Sequence, residues 1–124
     1  MTQVRPTLLI VEDNELNRDI LNEILKDEYK TYLAENGAEG LRLLRQHSAE
    51  IDLVLLDIEM PVMNGIETLE QIRKQQAFCN LPVMFLTADI NEETMAAAER
   101  LGTVGYVKKP YIPQEFLEKV ENVL

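Results

Sequence analysis

The 124-residue sequence has a single cysteine and no tryptophan, and none of its apolar runs is long. Because Cys79 is alone, no disulfide can form within the chain, which fits a reducing compartment. A membrane-spanning helix needs roughly 20 apolar residues, and no segment approaches that length. Residues 1–6 are too short and too polar for a signal peptide. The sequence therefore predicts a cytoplasmic protein that does not contact a membrane.

Basic residues are also scarce, with 12 lysines and arginines against 22 aspartates and glutamates, for a formal net charge of -10. Such a surface repels phosphate backbones, which argues against direct binding to nucleic acid. With 46% hydrophobic residues the chain can build one continuous core, and no repeat, linker or low-complexity segment divides it. We expect one globular domain over residues 1–124, with its core at about 7–124.

Short apolar runs alternate with amphipathic stretches along the chain. Apolar runs without alternation predict strands buried on both faces, and mixed runs predict edge strands. The predicted buried strands are Leu8–Val11, Leu53–Leu56 and Val83–Leu86, and the predicted edge strands are Lys30–Ala34 and Gly105–Lys108. A helix is predicted after each strand from apolar residues at three- and four-residue spacing. One apolar stripe is expected on the first helix from Leu16, Ile20, Leu21, Ile24 and Leu25, and one on the last from Phe116, Leu117, Val120 and Leu124.

Five strands alternating with five helices predict an α/β fold, a doubly wound parallel sheet with helices on both faces. The three apolar strands belong in the middle, so the simplest strand order is 2-1-3-4-5. In such sheets ligands bind at the carboxyl ends of the strands, beside the switch point, which here lies between strands one and three. The polar residues at those ends are therefore the candidates for chemistry.

Four of the predicted strands end in polar residues, namely Glu12 and Asp13, Asp57, Thr87, and Lys109. Three crowded carboxylates repel one another, and raised pKa values or a bound divalent cation are the common ways of holding them. An all-oxygen set without histidine or cysteine favours Mg²⁺ or Mn²⁺ over zinc. The Thr87 hydroxyl and the Lys109 ammonium suit an anion that bridges metal and lysine, and phosphate is the obvious candidate.

Four motifs together resemble the receiver domain of two-component response regulators, over Thr7 to Leu124. They are Glu12-Asp13-Asn14, Asp57-x-x-Met60-Pro61-x-Met63-Asn64-Gly65, Thr87-Ala88 and Lys109-Pro110. Each fragment alone is a weak signal, whereas the four in order and spacing are a strong one. The resemblance implies the flavodoxin-like, three-layer (βα)5 form of the predicted fold. It also implies a regulatory phosphoacceptor rather than an enzyme.

By this resemblance Asp57 is the phosphoacceptor, which attacks a phosphohistidine on a sensor histidine kinase or a histidine phosphotransfer protein. Asp13, Asp57 and the backbone carbonyl of Glu59 would hold Mg²⁺, or Mn²⁺ in its place. Glu12 would act on the metal directly or through water. The domain would thereby assist its own phosphorylation, because metal and lysine screen the repulsion between Asp57 and an incoming dianion.

The resemblance also implies a switch. Thr87, the Ala88 amide and Lys109 would bind the phosphoryl oxygens, and the Lys109–Pro110 peptide bond is often cis in this family. The added charge of roughly −1.5 to −2 would pull Thr87 and Lys109 inward. Tyr106 would then turn into the space vacated by Thr87 and change the face made by the fourth helix, fifth strand and fifth helix. That face is the expected output surface toward an unknown effector, and a candidate contact for a homodimer.

Glu59 and Asp89 match the two family positions that flank the path of a hydrolytic water. Acids at these positions either orient that water or repel it. We predict that changing either residue alters the lifetime of the phosphoryl group.

Three alternatives belong to other classes of protein. A flavodoxin-like cofactor binder needs a hydroxyl- and glycine-rich loop after the first strand, where this chain has Glu12-Asp13. A pseudo-receiver docks partners without phosphorylation and usually lacks the acceptor or an acid, and this chain lacks neither. A phosphohydrolase with an aspartyl nucleophile needs a second aspartate, which Asp57-Ile58-Glu59 does not supply. The pseudo-receiver is the main alternative.

Overall fold

The computed structural model describes residues 5–124, so residues 1–4 of the expected domain lie outside it. The strands are β1 (Thr7–Val11), β2 (Lys30–Ala34), β3 (Leu53–Asp57), β4 (Val83–Thr87) and β5 (Gly105–Lys108). The helices are α1 (Glu15–Leu25), α2 (Gly37–His47), α3 (Gly65–Lys74), α4 (Glu92–Leu101) and α5 (Pro113–Val123). None of the helices within these residues has both the length and the apolar character needed to cross a membrane.

The five strands form one parallel sheet in the order β2-β1-β3-β4-β5, which confirms the predicted order. The register keeps the carboxyl ends level: Val11 pairs with Leu56, and Thr87 pairs with Lys108. The residues that follow β1, β3, β4 and β5 therefore meet at one edge of the sheet. That edge holds the candidate site.

The core lies in two layers, one on each face of the sheet. Strands β1, β3 and β4 are buried along their whole length, whereas β2 and β5 are mixed, as expected for edge strands. One layer packs α2, α3 and α4 against the sheet through residues such as Leu44, Leu69 and Ala98. The other packs α1 and α5 through residues such as Leu21 and Phe116. The molecule thus has the expected three layers.

Asparagine side chains start four of the five helices. Each accepts a hydrogen bond from the backbone amide three residues later, which satisfies one of the free amides of the first turn. These caps are Asn14, Asn36, Asn64 and Asn91. Asn64 and Glu67 also form a capping box, in which each side chain accepts from the other residue's amide. Because Asn14 and Asn64 follow the candidate acids closely, they hold the loops that carry those acids.

The prediction of one apolar stripe on α1 is wrong for two residues. Leu21 and Leu25 are fully buried, but Leu16 is 68% exposed and Ile20 is 41% exposed. At about 100° per residue, Leu21 lies about 140° around the helix from Leu16, so these residues cannot face the sheet together. Leu124 is likewise exposed because it follows the end of α5.

Candidate functional site

The acids after β1 and β3 meet at the carboxyl edge of the sheet. Glu12, Asp13 and Asp57 each place a carboxylate oxygen within 4.8 Å of the others. Glu12 and Asp57 are fully buried, while Asp13 is exposed. A cluster of this kind is open to solvent on one side and packed against the core on the other.

Lys109 brings the balancing charge from the end of β5. Its ammonium donates a hydrogen bond to Asp57 Oδ1 at 2.9 Å and lies 3.3 Å from Glu12 Oε2. Burial tends to lower the pKa of Lys109, but the hydrogen bond and charge of Asp57, together with Glu12, outweigh it and raise the pKa. Lys109 therefore presents an ammonium group, stabilised in its charged form, to two buried carboxyl groups. The peptide bond between Lys109 and Pro110 is cis.

Asp57 is held in an environment that disfavours its charge. Burial raises its pKa to about 8, with the negative charge of Glu12 adding to the effect and Lys109 opposing it. Its Oδ2 and the Oε2 of Glu12 are buried and accept no hydrogen bond within residues 5–124. Buried carboxylate oxygens without partners are costly, and a hard divalent cation is the ligand that such oxygens fit. The donor set of Glu12, Asp13 and Asp57 thus suits Mg²⁺.

The loop after Asp57 is set by a close approach of two backbones. The Glu59 amide donates to Asp57 Oδ1 at 3.3 Å, and the Gly65 amide donates to the Ile58 carbonyl at 3.0 Å. A Cβ atom at position 65 would lie 2.4 Å from the carbonyl oxygen of Asp57, which is closer than Cβ atoms approach other heavy atoms in real proteins. Only glycine lets α3 start this close to the strand, so Gly65 keeps Asp57 in place.

Beyond Asp57, one carboxylate oxygen takes two hydrogen bonds from the end of β4. The Thr87 hydroxyl donates to Glu59 Oε1 at 2.6 Å, and the Ala88 amide donates to the same oxygen at 3.0 Å. The Asp89 amide in turn donates to the Thr87 hydroxyl oxygen at 3.1 Å. Partial burial raises the pKa of Glu59, but the hydrogen bonds, that of Thr87 first, outweigh it, and the net pKa is lowered. Glu59 is therefore an anion tied to β4.

The structure thus brings seven of the predicted site residues together and leaves two at the margin. Those together are Glu12, Asp13, Asp57, Glu59, Thr87, Ala88 and Lys109. Asp89 is exposed, and its carboxylate accepts a hydrogen bond from Asn91 at 3.2 Å. Tyr106 is half-buried on β5, with the Lys119 ammonium 5.8 Å from its ring centre. Its partner on β4 is Phe85, two residues before Thr87.

Comparison with protein-family models shows which family the sequence matches. The model described as "Response regulator receiver domain" matches residues 8–121. The chain belongs to this family. Its family is regulatory and serves two-component signalling, which confirms the resemblance seen in the four motifs.

Relatives and solved structures place this receiver domain among CheY-like proteins. It is 33% identical to the chemotaxis protein CheY of Halobacterium salinarum, over 94% of this chain and 95% of that protein. It is 35% identical to the probable transcriptional regulator ycf29 of Pyropia yezoensis, and spans 52% of that protein's length. The structure of CheY4 from Vibrio cholerae superposes with a TM-score of 0.91 at 28% identity, over 98% of this chain and 100% of that one. Other curated relatives are sensor or hybrid histidine kinases, of which the chain spans about a tenth.

Two side chains of this receiver domain's site were missed by the sequence analysis. Tyr111 has a buried hydroxyl that makes no hydrogen bond within residues 5–124. Its pKa is raised first by burial and then by the charges of Glu12, Asp57 and Glu59. Asn17 donates to Glu12 Oε1 at 3.4 Å. The position of Tyr111 directly after Lys109-Pro110 is the one signal in the sequence that could have indicated it.

Proposed function

We propose that this receiver domain accepts a phosphoryl group on Asp57 from a sensor histidine kinase or a histidine phosphotransfer protein, in a Mg²⁺-dependent reaction. The observation that carries the proposal is the state of the Asp57 carboxyl group. Lys109 and the Glu59 amide hold Oδ1, while Oδ2 is buried without a hydrogen-bond partner beside two other acids. The protein thus satisfies one oxygen of Asp57 and leaves the other open to a metal ion and to an incoming phosphorus.

In the proposed transfer, Oδ2 of Asp57 attacks the phosphorus of a phosphohistidine. The new O–P bond forms as the P–N bond breaks, and the leaving imidazole nitrogen keeps the bonding pair and takes up a proton. Lys109 and the Thr87–Ala88 donors then bind the phosphoryl oxygens, which neutralises charge where it accumulates. Glu12, Asp13, Asp57 and the Glu59 carbonyl would hold Mg²⁺, which supplies further positive charge to screen the dianion. The domain assists its own modification but has no separate substrate to turn over.

The proposed output is a change of the face formed by α4, β5 and α5. Phosphorylation would draw Thr87 and Lys109 toward the new charge, and Tyr106 would turn into the space that Thr87 leaves. The arrangement supports this, because Tyr106 is half-buried and pairs with β4 close to Thr87. The changed face would bind an effector, an attached output domain or a second copy of the chain.

Intact mass after incubation with acetyl phosphate and Mg²⁺ tests the proposal. We expect the gain of one phosphoryl group, its loss in Asp57→Asn or with chelator, and its retention in Asp19→Asn, an exposed carboxylate on α1. Amide resonances of residues 88–112 should shift on phosphorylation. If neither phosphorylation nor binding of beryllofluoride occurs, the proposal is overturned and the pseudo-receiver becomes the better interpretation. Amide resonances that stay unchanged in a phosphorylated sample would contradict the switch.

The lifetime of the phosphoryl group depends, in this proposal, on Glu59 and Asp89. Both carboxylates line the cleft between the loop after β3 and the start of α4, through which a hydrolytic water would arrive. Decay of the phosphorylated mass in Glu59→Ala and Asp89→Ala measures the effect. Decay rates equal to that of the wild-type protein would contradict this part of the proposal.

A further inference from the structure

The carboxylate of Glu59 occupies the place that the proposed function assigns to an oxygen of the phosphoryl group. Glu59 Oε1 accepts from the Thr87 hydroxyl at 2.6 Å and from the Ala88 amide at 3.0 Å. These are the two donors that a phosphoryl oxygen on Asp57 would need. The Thr87 hydroxyl also lies 2.9 Å from the Asp89 carbonyl oxygen, but Glu59 Oε1 is the nearer acceptor. A phosphoryl oxygen that takes both donors must therefore displace Glu59 Oε1.

We propose that the Glu59 carboxylate is an intramolecular stand-in for the phosphoryl group in the unmodified protein. It satisfies the Thr87 and Ala88 donors until the phosphoryl group arrives, and it must leave before that group can use them. Glu59 is thus a built-in competitor that lowers the affinity of the site for phosphoryl groups and their analogues. This inference rests on the proposed function and adds a residue that sets how readily the site is modified.

Glu59 is close to Asp57 in the chain, so its side chain can compete with a phosphoryl group on Asp57 without a movement of the backbone. It is two residues from Asp57, and its own amide donates to Asp57 Oδ1 at 3.3 Å. The backbone of Glu59 therefore stays beside Asp57 whether or not its side chain is hydrogen-bonded to Thr87 and Ala88. Rotation of the side chain alone is enough to free the two donors, because rotamer changes of exposed side chains are fast.

The structure also offers a place for the displaced carboxylate. A cleft beside it runs between the loop after β3 and the first turn of α4, and is lined by the polar residues Asn64, Asp89, Asn91 and Glu93. Two of these are acids and would repel Glu59 there. The inward position gives Glu59 two hydrogen bonds and keeps it out of the cleft with Asp89 and Glu93, and these gains oppose the repulsion by nearby Asp57.

The first test needs neither metal nor phosphodonor. In the metal-free protein, the amide proton of Ala88 should move upfield in Glu59→Ala, because it loses a charged acceptor, and should move less in Glu59→Gln, which keeps a neutral one. Asp19→Asn removes an exposed carboxylate on α1, away from this cleft, and should leave this resonance in place. An Ala88 resonance that is the same in the wild-type protein and Glu59→Ala would overturn the inference, whatever the site does with phosphate.

The second test titrates each variant with beryllofluoride in the presence of Mg²⁺ and follows bound fluoride by ¹⁹F NMR. The dissociation constant should fall about tenfold in Glu59→Ala, by less in Glu59→Gln, and stay unchanged in Asp19→Asn. Equal gains in all three variants would mean that net charge alone is responsible, and would overturn the inference. The same holds if Glu59→Ala binds no better than the wild-type protein. Absence of binding in every variant would instead mean that the proposed function has failed.

Discussion

Two half-buried cations lie at opposite ends of the sheet, and their surroundings differ in kind. At the amino ends of β4 and β5, Arg73 donates hydrogen bonds to the carbonyls of Leu101, Cys79, Leu81 and Gly102, at 2.8, 3.0, 2.8 and 3.3 Å. Within residues 5–124 it forms no ion pair. The guanidinium fork fits these carbonyls and ties the end of α4 to the segment before β4.

At the carboxyl ends, Lys109 faces the buried carboxyl groups of Glu12 and Asp57. One ammonium cannot satisfy four carboxylate oxygens, and one oxygen of each acid is left without a hydrogen bond. Arg73 therefore stabilises the fold, with its hydrogen-bonding groups matched to carbonyls. The surroundings of Lys109 are less stable than they could be, because they keep unpaired oxygens that a ligand can bind. The comparison predicts opposite results when the two ends are altered.

The largest effect on stability is expected from Arg73→Ala. Loss of its hydrogen bonds leaves carbonyls at the end of α4 and before β4 without partners, which should lower the free energy of unfolding by about 3 kcal/mol. Urea denaturation measures the change, with exposed Lys74→Ala as the control on the next residue. Phosphorylation by acetyl phosphate should be retained in the folded variant. A loss below about 0.5 kcal/mol would show that water replaces the guanidinium, and would remove the contrast between the two ends.

A smaller effect, of about 2 kcal/mol, is expected from Gly65→Ala at the other end. The added methyl group would meet the Asp57 carbonyl oxygen at 2.4 Å, so either α3 or the end of β3 must move. Because that movement displaces the acceptor, the variant should also be phosphorylated more slowly. Gln71→Ala, on the exposed face of α3, is the matched control. Stability and phosphorylation rate that both match the wild-type protein would show that the helix start is not held against Asp57.

Asp57→Asn should have the smallest effect on stability and the opposite sign. The pKa of Asp57 is raised to about 8 by burial, so this carboxyl group loses its proton at lower pH in the unfolded chain than in the folded protein. The free energy of unfolding therefore falls as pH rises from about 4 to 8. Asparagine resembles the protonated acid and avoids that cost. In metal-free buffer the variant should be more stable by roughly 1–2 kcal/mol at pH 8, with no gain at pH 4.

The pH dependence of that gain is the decisive feature. Thermal denaturation of both proteins at pH 4, 6 and 8 would show whether the difference grows with pH, and added Mg²⁺ should shrink it at pH 8 by stabilising the charged acid. A gain that is constant across this range would mean that burial does not raise the pKa of Asp57. The carboxyl edge would then be no more strained than the edge that holds Arg73.

Much of the fold followed from local patterns. Continuous apolar runs identified β1, β3 and β4 as central strands because a strand covered on both faces needs apolar residues at every position. The capping box of Asn64 with Glu67 was not predicted, although both residues lie at the start of α3. The exposure of Leu16 was also missed, since spacing alone does not tell which side of a helix faces the sheet.

The sequence by itself determined which chemical groups stand at the ends of the strands, because strand ends and acids are both local features. It thereby predicted the cluster of Glu12, Asp13 and Asp57 and its lysine. Only the tertiary structure decided how those groups are satisfied: which oxygen of Asp57 takes the ammonium, and that Glu59 takes the donors of β4. Such pairings join residues 28 and 52 positions apart. They depend on distances of a few ångströms between loops, which no local pattern specifies.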